Sequence, residues 1–452
     1  MAEHEKFAFK TLDELKAKIT ELGVDIAVSD DLSRLGQKVK IGNKTSPNAM
    51  AVLPMEGCDS SPDGSPTALM ERRYLRYASG GAGLIWWEAC AVVPEGKANP
   101  LQMMLNADNI GQYAKLIEKM SKAAADSNGT EHKPVNILQL THSGRYSRPN
   151  NHKFEPIIAQ HDALLDEKAG VNENTPVVTD GYLEELVGSF ITASKLARES
   201  GFDGVDIKAC HRYLISELLA SHDRAGKYGG SFENRSRLIR EIVTEITKAL
   251  DDEFIVASRI NMFDAHPNGF GTNTEDFMRY DVNEPLELVK AVCESGVTLL
   301  CSSAGNPYHT NPHVVRPFDI PAIGASIPDE HQLISAARLF ALTEEMQIAA
   351  GKVPVVGSGY TWFRQFMPNI GAANLAAGSC GFVGLGRSSF AYPDAPRDIL
   401  AGKSDAKKCC VACSKCTQIM RDHGQTGCVV KDGEVYVPLF KKARNDAIDR
   451  AK

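Results

Sequence analysis

The chain has 452 residues, 43% of them hydrophobic and 24% charged, and a formal net charge of −7 with no long run of lysine or arginine, so it carries no electrostatic footprint for nucleic acid or an anionic membrane. No apolar run approaches the ~18 residues of a membrane span, and the charged start Met1-Ala2-Glu3-His4-Glu5-Lys6 is no signal-peptide core, so a cytoplasmic protein is expected. The length admits two or three ordinary domains, but a single α/β barrel also reaches it.

In chain order, Thr11-Leu12-Asp13-Glu14 reads as a capping box that opens a helix through about Leu22, part of an N-terminal extension over residues 1–40. Eight short apolar runs come next, at 49–54, 83–93, 135–141, 204–209, 254–260, 297–303, 353–357 and 381–385. Amphipathic stretches such as 183–200, 237–250 and 284–295 separate them, which is the pattern of βα units and a parallel sheet. Eight such units predict an α/β protein, a (β/α)8 TIM barrel over residues 41–400, with its active site at the C-terminal ends of the strands. The N-terminal extension is expected to close the bottom of that barrel. The segment 148–178 is long enough to be a lid or substrate-binding insertion. Pro393 and Pro396 then break the helical pattern, and a boundary near Ala401 leaves residues 401–452 as a cysteine-rich C-terminal element.

Two of the runs end in glycine-bearing turns, Gly357-Ser358-Gly359 and Gly384-Leu385-Gly386-Arg387. Loops after strands seven and eight of a barrel frequently bind phosphate. Glycine lets backbone N–H groups approach the anion, and an arginine neutralises it. Gly357, Ser358, Gly359, Gly386 and Arg387 are the candidates for that task.

The run Gly204-Val205-Asp206-Ile207-Lys208-Ala209-Cys210-His211-Arg212-Tyr213-Leu214 is followed by Tyr228-Gly229-Gly230-Ser231-Phe232-Glu233-Asn234-Arg235. Together they resemble the G-x-D-G-V-E-I-x5-Y-L and Y-G-G-S-x-E-N-R motifs of old yellow enzymes and bacterial 2,4-dienoyl-CoA reductases. Leu138 to Ser147, with Gln139, His142, Gly144 and Arg145, is similar to the Q-x-x-H-x-G-R-Y-S segment of the dienoyl-CoA reductase branch. Met70 to Glu88 is similar to the family's second-strand region, and the resemblance spans roughly residues 41 to 428.

The resemblance implies FMN as cofactor, with NAD(P)H open as electron source. Gln139 would bond the pyrimidine edge of the flavin, Arg259 would sit near N1, and Pro54 and Met55 would line the isoalloxazine. The next position, often Thr or Cys in the family, is Glu56 here, which puts the usual tuning hydrogen bond in doubt. Tyr213 matches the proton-donating tyrosine, and His211 takes the anchor or proton-relay role. Lys208 stands where many relatives have histidine; its bland alternative is an ion pair with Asp206. If the strand continues past residue 209, His211 and Tyr213 share one side and point into one pocket. His142, Tyr308 and His309 are further candidates for the substrate side.

Of eleven cysteines, five crowd between 409 and 428. Cys410, Cys413, Cys416 and Cys428 form C-x2-C-x2-C-x11-C, and four thiolates so spaced can ligate a [4Fe–4S] cluster or a structural zinc. The dienoyl-CoA and trimethylamine dehydrogenase branches carry C-x2-C-x3-C-x11-C at this place, which favours iron–sulfur; Cys409 is then spare, unless it replaces Cys410 as the first ligand. Those relatives continue into FAD- and nicotinamide-binding domains, whereas here no G-x-G-x-x-G follows and the sequence runs about two dozen residues past Cys428. A cluster would then take electrons from a ferredoxin, a flavodoxin or a reductase subunit; with zinc, NAD(P)H would reduce the flavin directly.

The expected function is an FMN-dependent ene-reductase acting on a small α,β-unsaturated carbonyl or enoate. Two alternatives stay open. One is an amine dehydrogenase or N-demethylase, with Glu56, Trp86, Trp87 and Glu88 as a cation cage. The other is a non-catalytic electron-transfer module. Homo-oligomerisation is left open.

Overall fold

An antiparallel hairpin, β1 (Val39–Ile41) with β2 (Lys44–Ser46), leads into eight parallel strands. These are β3 (Met50–Val52), β4 (Leu84–Ala91), β5 (Val135–Thr141), β6 (Gly204–Ile207), β7 (Ile255–Asn261), β8 (Leu299–Ser303), β9 (Val355–Gly357) and β10 (Phe382–Leu385). They close into a barrel in chain order, with β10 pairing back onto β3. The computed structural model describes residues 3–308, 312–450 and 452. Every apolar run expected to be a strand is one, and the helices Asp180–Glu199, Arg237–Ala249 and Asn283–Ser295 fall where the amphipathic stretches lie.

Alternate residues face inward. Ala51 and Leu53, Leu84 and Trp86, Val135 and Ile137, Ile255 and Ala257, and Leu299 and Cys301 pack with Val356 and Phe382 into one interior cluster. The intervening Val52, Ile85, Leu138, Val205, Val256 and Leu300 pack outward among helix side chains. This period of two fixes which later residues of each strand look into the barrel. Each fully buried side chain of this size contributes ~1.5–3 kcal/mol.

The N-terminal helix, Leu12–Leu22, has the expected capping box, with Thr11 Oγ1 accepting from Glu14 N at 3.2 Å. It does not close the barrel. Its buried Leu15 and Ile19 join Leu333, Phe340, Trp362 and Phe363 on the outer wall. The bottom is closed by the hairpin, whose Ile41 packs into the interior cluster beside Val135, Ile255 and Leu299. A small barrel is filled by side chains, so its floor admits an isoleucine and not a helix.

At the other end, segment 148–178 is braced on the barrel top: Asp162 accepts from Arg212 at 3.0 Å and lies 2.7 Å from the His266 ring. The C-terminal element folds back over the same end. Arg72 and Arg76, on the helix Ala68–Ser79, hold Asp432 at 2.8 and 2.5 Å, and Asp319 N donates to Ala412 O at 3.0 Å. Among the described residues, no helix is long and apolar enough to cross a membrane.

Candidate active site

Gln139, Asp206 and Arg259 continue the inward parity of β5, β6 and β7 to their upper ends. Asp206 collects donors: Gln139 Nε2 at 2.6 Å, Trp86 Nε1 at 2.8 Å and Arg259 N at 2.8 Å. Burial pushes its carboxyl up to about 6, against these bonds and the Arg259 charge. The guanidinium of Arg259 forms no core ion pair among the described residues, and its buried Nε lacks a partner there.

The inward series reaches Lys208, but the chain then turns. His211 and Arg212 have φ of 66° and 59°, so the extended continuation expected past residue 209 does not occur. Arg212 is drawn to Asp162 and Asp264, at 3.0 and 3.4 Å, and this anchors the turn. His211 and Tyr213 nevertheless line one cavity, because the turn presents the residues on either side of Arg212 to it.

That cavity is lined by Pro54, Met55, Glu56, Gln139, Lys208, His211, Tyr213, Arg259, Ser358, Gly359, Gly386 and Arg387. Of the residues expected to hold the flavin, Gly357 alone is elsewhere: it sits in the β9 ladder opposite Val383. Lys208 does not pair with Asp206. Its ammonium lies 3.7 Å from Glu56 Oε1 and 3.7 Å above the Tyr213 ring. Burial lowers the Lys208 ammonium, and Glu56 opposes the shift. Tyr213 donates to Glu56 at 3.3 Å and shares a 2.9 Å hydrogen bond with Tyr308, which stacks on Tyr146 at 3.9 Å. Burial, then Glu56, raises the Tyr213 phenol well above its ordinary value. His211 bonds Ser303 Oγ at 3.0 Å; burial and the charges of Arg259 and Lys208 hold its imidazole neutral.

The remaining candidates lie apart. His142 turns away from the cavity to the Tyr182 hydroxyl at 2.8 Å, and His309 lies outside the described residues. The cation cage does not assemble. Trp87 stacks on Tyr74 at 3.6 Å, Trp86 points into the barrel core, and Glu88 is taken by Arg73 at 2.5 Å and Gly57 N at 2.6 Å.

At the opposite end of the cavity Ser358, Gly359, Thr361, Gly386 and Arg387 meet Arg316. Arg316 was not legible in the sequence: it lies in a loop after β8, outside any strand parity or glycine turn. Its guanidinium donates to Thr417 Oγ1 at 3.0 Å, and burial beside Arg387 lowers it to about 10. Nη1 of Arg387 is buried without a partner among the described residues. A Cβ built on Gly386 would meet only Leu53 and Met55, at 3.8 Å, so this backbone is open to the cavity. Two arginines and an open backbone at one end, and an apolar shelf with Gln139 and Arg259 at the other, fit a group with a flat ring system and a phosphate.

Cys410, Cys413, Cys416 and Cys428 line a second, small cavity with Arg387, Phe390, Lys415 and Lys431. Cys416 and Arg387 line both cavities. Cys409 is not among these residues; its Sγ points to Asp405 O at 3.7 Å. Among the described residues, no three His, Cys, Asp or Glu side chains converge closely enough to hold a single metal ion.

Residues 35–296 match the NADH:flavin oxidoreductase / NADH oxidase family, and the chain belongs to it, which bears out the family resemblance read from the sequence. It is similar to NADH oxidase of Thermoanaerobacter brockii, 27% identical over 380 residues that make up 83% of this chain and 52% of that protein. This chain thus spans about half the length of that relative. It is 30% identical to NADPH dehydrogenase of Bacillus subtilis (strain 168) over 292 residues, 64% of this chain and 78% of that protein. In fold it is similar to a 2-naphthoyl-CoA reductase in complex with 2-naphthoyl-CoA, with a TM-score of 0.70 at 20% identity over 92% of this chain and 58% of that one.

Proposed function

We propose that the protein is an FMN-dependent ene-reductase that reduces the C=C bond of an α,β-unsaturated carbonyl or enoate. The observation that carries this reading is that Tyr213, its hydroxyl bonded to Glu56 and Tyr308, lines the same cavity as His211, Lys208, Gln139 and Arg259. In this reading the barrel, residues 41–400, holds FMN, with the phosphate between Arg387, Arg316 and the Ser358–Gly359 and Gly386 backbones and the ring on Pro54 and Met55. When bound, FMN supplies the hydride for the β carbon.

The chain's own residues do the rest. His211, neutral and oriented by Ser303, offers an N–H to the substrate oxygen, and the Lys208 ammonium adds positive charge where that oxygen gains electrons. Tyr213 gives its phenolic proton to the α carbon. The phenolate left behind keeps the Tyr308 hydrogen bond and the ammonium above its ring. Arg259 stabilises negative charge at the ring edge it faces.

The four cysteines of segment 401–452 are assigned to a [4Fe–4S] cluster. Zinc, at ~2.3 Å from each sulfur, needs four thiolates around one point, whereas a cubane is served by thiols spread around a cavity. Electrons come from a small carrier protein, or from NAD(P)H at the flavin. The amine dehydrogenase reading loses its aromatic cage, because Trp86, Trp87 and Glu88 are occupied elsewhere.

The test is an anaerobic visible spectrum before and after dithionite, followed by reoxidation with 2-cyclohexenone and a 2-enoate. Flavin bands that bleach and return with the enone support the reading. No flavin, or a reduced flavin that neither acceptor reoxidises, sinks it.

A further inference from the structure

The segment that carries the cysteines has a charge of its own. Residues 403–431 contain six lysines and arginines against two aspartates, in a chain of net charge −7. Neither aspartate offsets them at the surface. Asp422 is buried and held by Arg444 at 2.8 Å, and Asp405 is folded onto the backbone N–H of Lys407 at 2.8 Å. Lys403, Lys407 and Lys415 are exposed, and among the described residues no carboxylate pairs with them.

Lys407, Lys408, Lys415 and Lys431 gather around the cysteine cavity. Lys415 and Lys431 line it, and the Lys431 ammonium donates to the Lys407 carbonyl at 2.6 Å, which draws residues 407 and 408 to its rim. Val411 and Val430 line it too, and Val430 is 41% exposed. An apolar centre inside a rim of cations, directly over thiols, has the anatomy of a protein-docking face. Cys416 and Arg387 are shared with the barrel-top cavity.

We propose that the face formed by Lys407, Lys415 and Lys431 around Val411 and Val430, with Lys408 beside them held to Asp398 at 3.4 Å, docks an acidic one-electron carrier protein of the ferredoxin type. This rests on the reading that the cysteines hold an iron–sulfur cluster. Two carrier molecules are each oxidised by one electron, and the electron pair with one proton from solvent supplies the hydride equivalent that the substrate receives. Opposed charge on the two faces steers encounter, so the rate depends on salt.

The experiment uses the holoprotein, with iron and sulfide assayed, and a photoreduced acidic bacterial ferredoxin as probe. Stopped-flow reduction and calorimetric binding are measured across ionic strength, for the wild type and for Lys407→Glu with Lys408→Glu, neither of which lines the cysteine cavity; dithionite reduction is the internal reference. The expected result is a wild-type rate that falls with salt and a further loss of about tenfold or more, in rate and affinity, in the charge-reversed protein at low salt, with dithionite reduction preserved. Lys407→Gln with Lys408→Gln should lose less, which guards against a folding defect. A rate and affinity indifferent to salt and to charge reversal overturn the proposal, as does a DNA oligonucleotide that competes as well as the ferredoxin. Absence of iron would remove the cluster reading, and the calorimetry would still decide whether the face binds the carrier.

Discussion

The hydroxyl of Tyr213 donates to Oε1 of Glu56 at 3.3 Å, and the Lys208 ammonium stands 3.7 Å from the same oxygen. The proposed proton donor therefore touches a carboxylate whose charge raises its pKa, with a lysine as counter-ion. An acid must be protonated to act, so activity is lost as pH rises through the Tyr213 pKa. Glu56 keeps that loss at higher pH.

Glu56→Gln removes this charge and lowers the Tyr213 phenol, while burial, the larger cause, still holds it above its ordinary range. The alkaline limb of substrate-driven flavin reoxidation is expected to move to lower pH, while reduction by dithionite keeps its rate. Tyr213→Phe should slow the same half-reaction by ~10²–10⁴-fold without changing flavin content. A Glu56→Gln profile that overlays the wild type through the alkaline limb, followed above pH 10 as far as the fold survives, would show that the carboxylate does not act through Tyr213.

Arg387→Met tests the phosphate end. Its unpartnered Nη1 is assigned to the anion, and a hydrogen bond between charged groups contributes ~1.5–3 kcal/mol, or about 10- to 100-fold in Kd. Fluorescence titration of the apoprotein with FMN should report that loss. Arg259→Met is expected to bind FMN more nearly normally but to lower its midpoint potential, read by spectroelectrochemistry, because a positive charge at the ring edge is lost. Unchanged FMN affinity in Arg387→Met would remove this residue from the phosphate site.

The cysteine assignment separates two neighbours. Cys416→Ser is expected to abolish the bleachable iron–sulfur shoulder and bound iron while the barrel keeps FMN, whereas Cys409→Ser should leave iron content unchanged, since Cys409 is not part of the cavity wall. Iron and sulfide analysis of both proteins checks this. Loss of iron in Cys409→Ser would shift the first ligand from Cys410 to Cys409.

The eight strands were legible because each run is apolar on both faces, and inward parity carried Gln139 and Arg259 to the right places. The turn at His211 and Arg212 was not. Both residues are left-handed without being glycine, and what holds them there is Arg212 reaching Asp162 and Asp264, contacts 50 and 52 residues away in sequence. The Lys208–Glu56 pair joins two different strand ends, and no local pattern announces it. Arg316 illustrates the same limit: a lone arginine in a loop acquires its place only when β8 and β10 bring it to Arg387. The N-terminal helix was read correctly from its capping box, but which wall its narrow stripe of Leu15 and Ile19 would meet depends on helices more than 300 residues later.

His142 supplies a pH-dependent stability test away from the chemistry. Its Nδ1 accepts from Gly144 N at 3.0 Å, so the proton sits on Nε2 and is given to Tyr182, which in turn donates to Glu95 at 3.0 Å. Burial lowers the imidazole from an ordinary 6.5 to about 3. A depressed folded pKa means that the unfolded chain takes up a proton the folded chain refuses. The contribution to stability is thus present above the unfolded pKa of ~6.5 and is lost as pH falls toward the folded one. Between pH 7 and 5 the loss is about 2 kcal/mol for a shift of this size. His142→Gln titrates in neither state; it should be less stable than the wild type at pH 7.5, and the gap should narrow by about that amount at pH 5. Urea unfolding at the two pH values measures it. Parallel stability curves would mean that the folded protein protonates His142 and that its bond to Tyr182 is not kept.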